Sequence, residues 1–389
     1  MKRLEQLFKK NPKSGSVVTI DKHGGVHYIN YTKVFNGTIL QDIIHFVNSV
    51  LRKYKTQKIP FYFEFPTRRI EVQDKLVYIL FECVCYQLKK DHRRVYVYWD
   101  PIDIIITQGI FSSPLKLLNN SDQKSNNKYA TKFKAEMYNQ HYRSLIAFDK
   151  ERDLKTNYLG KFQQELELFL KIFNLSKVHI DKISNVMTEL VGNAGEHGDS
   201  DCLIDIDITD NHTKLVDDVE QKGQYYGINI AIVSFSDKLV GDDIKSKILE
   251  NKFKEGRYKY LSEVYLNHLR MMKEDTNYKE EYFWNIAALQ DKISGRKNLL
   301  SSGGTGLTVL INSLQQEAEN DTCYMLSGNE VIFFKKEFIE FDSEGWLGFN
   351  TQKNFYNYAP DSEILAESVV FMPGTAYNLN FVMKKEENK

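Results

Sequence analysis

The chain has 389 residues, which is long for one typical core and fits two domains. Its 52 basic residues balance its 52 acidic ones and 42% of the chain is hydrophobic, which is ordinary for a globular protein and argues against a whole-surface nucleic-acid clamp. No apolar run is long enough to span a bilayer, and four cysteines are too few for a disulfide framework. We expect a cytoplasmic protein with reduced thiols, with no membrane partner and with nucleic acid not indicated.

Residues 1–116 alternate between strand and helix patterns. The β-rich runs SVVTI and VHYIN flank the turn signal DKHGG, and IPFYFEF and RRVYVYWD also have strand character. Helical spacing of apolar residues appears in LQDIIHFVNSVLRKY and VQDKLVYILFECVCYQL. This order predicts an α/β domain whose helices cover a sheet. His23 and His27 are either a metal pair or polar turn residues, and the turn pattern favours the second.

The rest of the chain divides into a linker and a second domain. Residues 117–149 begin with an Asn- and Ser-rich stretch, which predicts a linker or long loop. Helical patterning resumes near LGKFQQELELFLKIF, and an apolar stripe then predicts a core-facing helix that ends near His197 and Gly198. The strictly alternating CLIDIDIT predicts a strand with Asp205 and Asp207 on one face.

After a second strand, YYGINIAIVSFS, the residues from 238 to about 302 are mostly helical and charged. The runs TCYMLSG and NEVIFFKK predict a β-hairpin, and PGTAYNLNFVMK predicts a turn followed by a strand. We found no internal repeat.

A polar stripe interrupts the apolar helix pattern in MTELVGNAGEHGDS. Glu189, Asn193 and His197 are four residues apart, so they lie on one helix face. That face is either solvated or directed at something that needs a base and a metal ligand. Farther on, SSGGTGLTVLINSLQ passes from a glycine-rich turn into a helix, which is either a phosphate site or an ordinary turn. It is not a Walker loop, because no Gly-Lys-Ser/Thr follows.

Taken in order, ELVGNAGEHG, SSGGTGLTVLI and MPGTAYNLNFVM resemble the N-box, the G2 box and the closing GT strand of the GHKL superfamily, the histidine-kinase-like ATPases of the Bergerat fold. The pattern is most similar to the anti-sigma-factor and sensor-kinase branches and covers residues 150–385. The resemblance implies a two-layer α/β sandwich of the α+β class, with a mixed sheet and a helical lid insertion at about 238–302. It also implies ATP and Mg²⁺ as ligands. The N-terminal domain faintly resembles the STAS-type domains that partner anti-sigma kinases.

The resemblance also implies roles for the matched residues. The amide oxygen of Asn193 would bind Mg²⁺, which takes few protein ligands, and Glu189 would orient or deprotonate the nucleophile. Thr375 would lie beside the adenine. Arg296 and Lys297 would neutralise phosphate charge or form an exposed pair, while Glu196 and His197 are read as a solvated helix end. The turn that would cradle the phosphates consists of Gly303, Gly304, Thr305, Gly306 and Leu307.

The adenine box departs from the family pattern. Where the family has an Asp in D-x-G-x-G, this chain has IAIVSFSDKLVGDDI. Ser234 takes the place of the Asp and Ser236 that of the first Gly, while Asp237 is shifted and Gly241 stands for the second Gly. A serine hydroxyl accepts a bond from the adenine amino group more weakly than a carboxylate does. The candidate base-site residues are therefore Ser234, Asp237 and Gly241.

Three functions fit these patterns. A Mg-ATP-dependent conformational switch with slow hydrolysis, in signalling, regulation or defence, is favoured by the large lid and the additional domain. A serine/threonine kinase of the anti-sigma type, with Glu189 as base, is the second. A degenerate, non-catalytic interaction module is the third. An autophosphorylating histidine kinase is disfavoured, because no acid follows His141 in YNQHYRS. We expect a protein partner at the N-terminal domain and lid, and a homodimer is compatible.

Overall fold

The computed structural model describes residues 6–11, 19–99, 105–106, 110, 112–119, 123–148, 157–198, 200–216, 219–250, 256–293, 306–317 and 323–386. The helices in these residues are α1 (Gln6–Lys10), α2 (Gly37–Lys53), α3 (Lys75–Lys90), α4 (Gln123–Lys134), α5 (Tyr158–Leu170), α6 (Lys177–Gly198), α7 (Asp242–Leu249), α8 (Gly256–Glu274), α9 (Glu280–Ala288) and α10 (Gly306–Glu317). The strands are β1 (Val26–Ile29), β2 (Val34–Phe35), β3 (Phe61–Glu64), β4 (Glu71–Val72), β5 (Val95–Tyr98), β6 (Ile105–Ile106), β7 (Ala135–Tyr138), β8 (His141–Ile146), β9 (Cys202–Val216), β10 (Val219–Phe235), β11 (Tyr324–Phe333) and β12 (Leu365–Lys384).

The N-terminal region is an α/β unit, as predicted. Strands β1, β3 and β5 pair in parallel, and the short strands β2, β4 and β6 form a second parallel sheet in the same chain order. Helices α2 and α3 make the crossovers. The side chain of Asn36 accepts hydrogen bonds from the first turn of α2, and that of Asp74 does the same for α3, so both helices begin at a capping residue. The predicted strand SVVTI lies largely outside the described residues.

A six-stranded sheet forms the centre of the molecule, in the order β11-β12-β10-β9-β8-β7. Every described pairing in it is antiparallel, so the predicted mixed sheet is wrong for these residues. The reason is connectivity: β7 and β8, and β9 and β10, follow each other through short connections, which antiparallel strands allow and parallel strands do not. The coarser α+β class is what the structure shows.

The predicted linker is also wrong in its described part. Residues 117–149 contain α4 and the strands β7 and β8, and β8 pairs with β9 in the central sheet. Two aromatic residues explain why the segment folds: Tyr129 and Phe133 of α4 are fully buried, and the Tyr129 hydroxyl donates to the Glu82 carbonyl at 2.8 Å. The Asn- and Ser-rich composition of the segment concealed this apolar contact.

The predicted hairpin at TCYMLSG and NEVIFFKK is instead one strand, β11. Gly328 adopts a positive φ of 70°, and the pairing with β12 shifts register on both sides of it. Glycine tolerates this conformation without a steric cost. The turn signal therefore marks a bulge within a continuous strand rather than its end.

Helices cover both faces of the central sheet. One face packs on α5, α6 and α10 and on the helices α7, α8 and α9 of the predicted lid, in one apolar core. The other face packs on the N-terminal unit, because Leu203, Val233 and Met372 of the sheet belong to the same core as α1, α2 and α3. The expected two-layer sandwich is thus covered on its second face. None of the helices in the described ranges combines the length and apolar character that crossing a membrane requires.

Candidate functional site

Helix α6 carries the polar stripe that the sequence predicts. Its apolar residues, among them Val186 and Leu190, are buried against the central sheet, and the helix ends at Gly198 as expected. Glu189 and Asn193 lie one turn apart and are half-buried at the margin of that contact. Both side chains are therefore placed where they are held by the helix and remain accessible to a ligand.

Ser234 and Thr375 lie side by side at one end of the sheet. They are register partners on β10 and β12. Both face α6, because Ile232 and Tyr377, two residues away on the same strands, belong to the core on that side. The Ser234 hydroxyl is 2.7 Å from that of Ser200. These two candidate residues thus share one small area of the sheet.

The C-terminal end of α6 meets the same area. Ser200, which follows the helix, has its amide 3.4 Å from the Ala194 carbonyl and its hydroxyl against Ser234. Ala194 is the neighbour of Asn193 in the chain. Through its hydrogen bonds to Ala194 and to Ser234, Ser200 holds the end of α6, which carries Asn193, close to Ser234 and Thr375.

Gly374 and Thr375 lie in the middle of β12, so the predicted turn before the last strand is wrong, and the geometry of Gly374 explains why a glycine is found there. Its φ is +100°, and a Cβ atom at this position would lie 2.2 Å from the Ser234 carbonyl oxygen. Only glycine permits this close approach of the two strands. The glycine of the GT pair thus has a structural role. By allowing β12 to approach β10 closely, it sets the position of Thr375 opposite Ser234.

Helix α10 begins at Gly306 and packs against α6. Lys182, in the second turn of α6, donates to Gln316 in the last turn of α10 at 2.6 Å. This contact joins the start of one helix to the end of the other, as in an antiparallel pair. In such a pair, about ten residues at 1.5 Å each separate this contact from Gly306 on one helix and from Asn193 on the other. The start of α10 then lies level with Asn193.

Gly241 and Asp237 have other contacts. Gly241 precedes α7, and a Cβ atom there would lie 2.6 Å from the backbone of Trp284 in α9, so helix packing explains this glycine. Asp237 is exposed and accepts a hydrogen bond from the Gln6 side chain at 2.5 Å. These contacts join Gly241 to α9 and Asp237 to α1.

Several candidates lie outside the described residues. They are Arg296, Lys297, Gly303, Gly304 and Thr305, together with the side chains of Glu196 and His197. Leu307 is described and packs, partly buried, on the core next to α6. The possible histidine metal pair is not formed: both ring nitrogens of His27 face carboxylates, Asp21 at 2.7 Å and Glu64 at 2.5 Å.

A second polar site lies on the opposite face of the sheet. The Lys75 Nζ atom of α3 is 2.8 Å from Asp205 and 2.7 Å from Asp207, and Arg143 Nε donates to Asp205 at 2.6 Å. Arg143 also donates to Glu82, and His141 Nδ1 lies 2.9 Å from Asp207. All six side chains are at most 1% exposed. We refer to this set as the buried ionic cluster: Lys75, Glu82, His141, Arg143, Asp205 and Asp207.

The environment decides which of these groups are ionised. Burial opposes the charge on Asp205, but Arg143 and Lys75 outweigh it and hold the pKa of this carboxyl below its usual range. Burial likewise opposes the charge on Lys75, whose pKa is nevertheless raised by Asp205 and Asp207. Burial raises the pKa of Glu82 to about 7, although Arg143 acts in the opposite direction. Glu82 is thus less firmly ionised than Asp205.

The cluster is an ion-pair network rather than a metal centre. The ligand atoms of His141, Asp205 and Asp207 lie within 4.8 Å of one another, which is suitable for a cation. The ammonium of Lys75 already lies within hydrogen-bond distance of both carboxylates. It supplies the positive charge that a metal would bring.

Sequence reasoning found only part of this cluster. It placed Asp205 and Asp207 on one face of a strand, but the cations that neutralise them come from distant elements.

No family model, curated protein or solved structure matches this chain.

Proposed function

We propose that this chain is an ATP-binding protein of the GHKL type, which acts in the cytoplasm as a Mg-ATP-dependent conformational switch with slow hydrolysis. The observation that carries this proposal is the convergence of separate chain segments on one face of the central sheet. The end of α6 with Asn193, the strand partners Ser234 and Thr375, and the start of α10 belong to four segments. These are the segments in which the sequence predicts a metal ligand, a base site and a phosphate turn.

The chemistry of these residues suits a nucleotide with Mg²⁺. Asn193 presents an amide oxygen, and one such ligand is enough for an ion that keeps several of its waters. The N-terminus of α10 presents free N–H groups and a favourable helix dipole to the phosphates. Glu189, one turn from Asn193, would orient a water toward the γ-phosphate.

The lid helices provide the means of switching. Helices α7, α8 and α9 lie in the chain between β10, on the base side, and α10, on the phosphate side. The Thr308 hydroxyl of α10 donates to Asp291, just after α9, at 3.0 Å. A nucleotide that contacts both β10 and α10 would therefore change the position of the lid, as in other enzymes that close over their ligands.

A protein partner at the lid or the N-terminal unit, or a second copy of the chain, would receive this change. The fate of the γ-phosphate separates a switch from a protein kinase: in a switch it is transferred to water, and in a kinase it is transferred to the partner.

Calorimetric titration tests the proposal. We expect ATP to bind in the presence of Mg²⁺ and at least tenfold more weakly without it. Asn193→Ala should abolish the effect of Mg²⁺, because the amide ligand is lost. Asn185→Ala is the matched control, since Asn185 is exposed two turns earlier on the same helix. Binding that is equal in both variants, or absent in the wild type, would contradict the proposal.

A further inference from the structure

The buried ionic cluster has unequal numbers of fixed charges. It contains three carboxylates, on Glu82, Asp205 and Asp207, and two permanent cations, on Lys75 and Arg143. Water does not reach any of these side chains. An uncompensated charge in such a place is unfavourable, so one more positive charge is required for balance.

The geometry of His141 supplies a place for that charge. Its Nδ1 atom is 2.9 Å from Asp207, and its Nε2 atom is 3.6 Å from Asp205 and 4.0 Å from Glu136. A neutral imidazole would turn a lone pair toward one of these carboxylates, whereas the imidazolium presents N–H on both sides. Nδ1 is thus hydrogen-bonded to Asp207, while the buried Nε2 atom has no hydrogen-bond partner among the described residues and faces two carboxylates at ion-pair distance only.

We propose that the buried ionic cluster is a proton-binding site, which holds one proton on His141, with Glu82 as the second acceptor, and thereby joins the N-terminal unit to the central sheet. With this proton the cluster is neutral, and without it the cluster carries one negative charge. This inference does not depend on nucleotide binding.

The neighbouring titratable groups leave this count unchanged. Burial raises the pKa of Tyr78, Cys83, Cys85 and Tyr129, which keeps these side chains neutral near pH 7. Glu136 of β7 forms its own pair with Lys132 of α4, 2.5 Å away. From β10, the Asn229 carbonyl accepts a bond from Lys75 without adding charge.

Glu82 is the second acceptor because it is less firmly ionised than Asp205. Its carboxylate accepts bonds from Ser113 at 2.6 Å and from Arg143, and burial still raises its pKa to about 7. On Glu82 the folded chain thus binds a proton that an unfolded chain, with an ordinary Glu, releases at lower pH. Stability contributed by the cluster is therefore lost as pH rises through about 7.

The test is the midpoint of urea unfolding of the full chain at pH 5.5, 6.5, 7.5 and 8.5. We expect the wild-type midpoint to fall as pH rises from 6.5 to 8.5. Glu82→Gln removes one negative charge, so the cluster balances without a proton and this fall should become shallower. Glu337→Gln, at an exposed position, makes the same chemical change and should keep the wild-type slope.

The ring of His141 gives an independent readout in the wild-type protein, by ¹⁵N NMR of labelled histidine. Protonation of both ring nitrogens at pH 7 is the expected result. A neutral His141 ring, combined with a shallower pH dependence of the urea midpoint in Glu82→Gln, would place the proton on Glu82. That result would still support one bound proton in the cluster. A neutral ring together with an unchanged slope in Glu82→Gln would overturn the proposal. If Glu82→Gln does not fold, a neutral wild-type ring together with a wild-type midpoint that does not fall from pH 6.5 to 8.5 overturns it.

Discussion

The two faces of the central sheet are both buried but differ in chemistry. Toward α6, strand β9 contributes Ile204, Ile206 and Ile208 to an apolar core. Toward α3, the same strand contributes Asp205 and Asp207 to the buried ionic cluster. Strand alternation therefore tells which residues share a face, but it does not tell whether a polar face meets water or a second charged layer.

The two faces are also stabilised by different interactions, apolar burial on one and ion pairs on the other. On the apolar face, each buried side chain contributes separately, about 1.5–3 kcal/mol for a residue such as isoleucine. On the ionic face, attraction is offset by the cost of removing charges from water, so the set is stable only when it is complete. Removing one member should then cost more than removing one apolar side chain.

Lys75→Met should have the largest effect. It leaves Asp207 and Asp205 without their shared cation in a buried place, so we expect a loss of about 3–5 kcal/mol in the free energy of unfolding. Urea unfolding at pH 7 measures this, with the exposed Lys55→Met as the control. A loss below about 1 kcal/mol would mean that water reaches the cluster and that the two faces do not differ as described.

Ile230→Ala tests the apolar face. Ile230 is fully buried against α6, and its truncation should cost about 2–4 kcal/mol through lost burial and the cavity that remains. Ile29→Ala, at a side chain that is 48% exposed, should change stability by less than about 1 kcal/mol. Equal costs for the two variants would contradict the assignment of this core.

His268 gives the α6 side of the sheet a pH dependence of stability that differs from that of the buried ionic cluster. It lies on the α6 side of the sheet, between the Tyr278 hydroxyl and the Phe355 carbonyl, and burial lowers its pKa to about 4. An unfolded histidine protonates near pH 6.5, so the unfolded chain binds more protons below that value and stability falls as pH falls. Between pH 7 and pH 5 we expect His268 to contribute a loss of about 2 kcal/mol, so His268→Gln should gain about that much stability relative to the wild type over this interval. This direction is opposite to that of the cluster, and a difference between the two proteins that stays constant from pH 7 to pH 5 would refute the assignment.

A pair of compensating substitutions tests whether the charges of the buried ionic cluster are energetically coupled. Lys75→Met with Asp207→Asn removes one charge of each sign, and Asp205 keeps Arg143. We expect the pair to recover about 1–2 kcal/mol of the loss caused by Lys75→Met alone, as double-mutant cycles show for coupled residues. Simple addition of the two losses would show that the charges act independently.

The smallest effect concerns the base site. A hydroxyl both donates and accepts, so the Ser200 and Ser234 pair should distinguish the adenine amino group from the guanine carbonyl by less than about tenfold. Ser234→Asp supplies an acceptor only and should raise the preference for ATP over GTP, as measured by calorimetry. A wild-type preference above about a hundredfold would show that other groups read the base.

The sequence predicted local patterns well and distant pairings poorly. The buried stripe and end of α6, the alternation of strands and helices in the N-terminal unit and the shared face of Asp205 and Asp207 all follow from patterns within single segments. The partner of Asp207, Lys75, is 132 residues away, and no local pattern reports such a contact. The same reason explains why the helix in the predicted linker was missed, since its burial depends on α3.

Two glycines that fit a motif or a turn in the sequence are explained in the structure by packing or strand geometry. Gly241 is explained by contact with Trp284, and Gly328 by a bulge, although each also fits a motif or a turn. By contrast, Ser234 and Thr375, which the resemblance assigns to one base site, are register partners on β10 and β12.

A crystal structure of Glu189→Gln with ATP and Mg²⁺ would test the central claim most directly, because this variant should retain the ligands while slowing hydrolysis. We expect the metal at the amide oxygen of Asn193, the phosphates at the start of α10, and the base beside Ser234 and Thr375. A nucleotide bound elsewhere on the chain, or a crystal that takes up none at saturating ATP, would contradict the account.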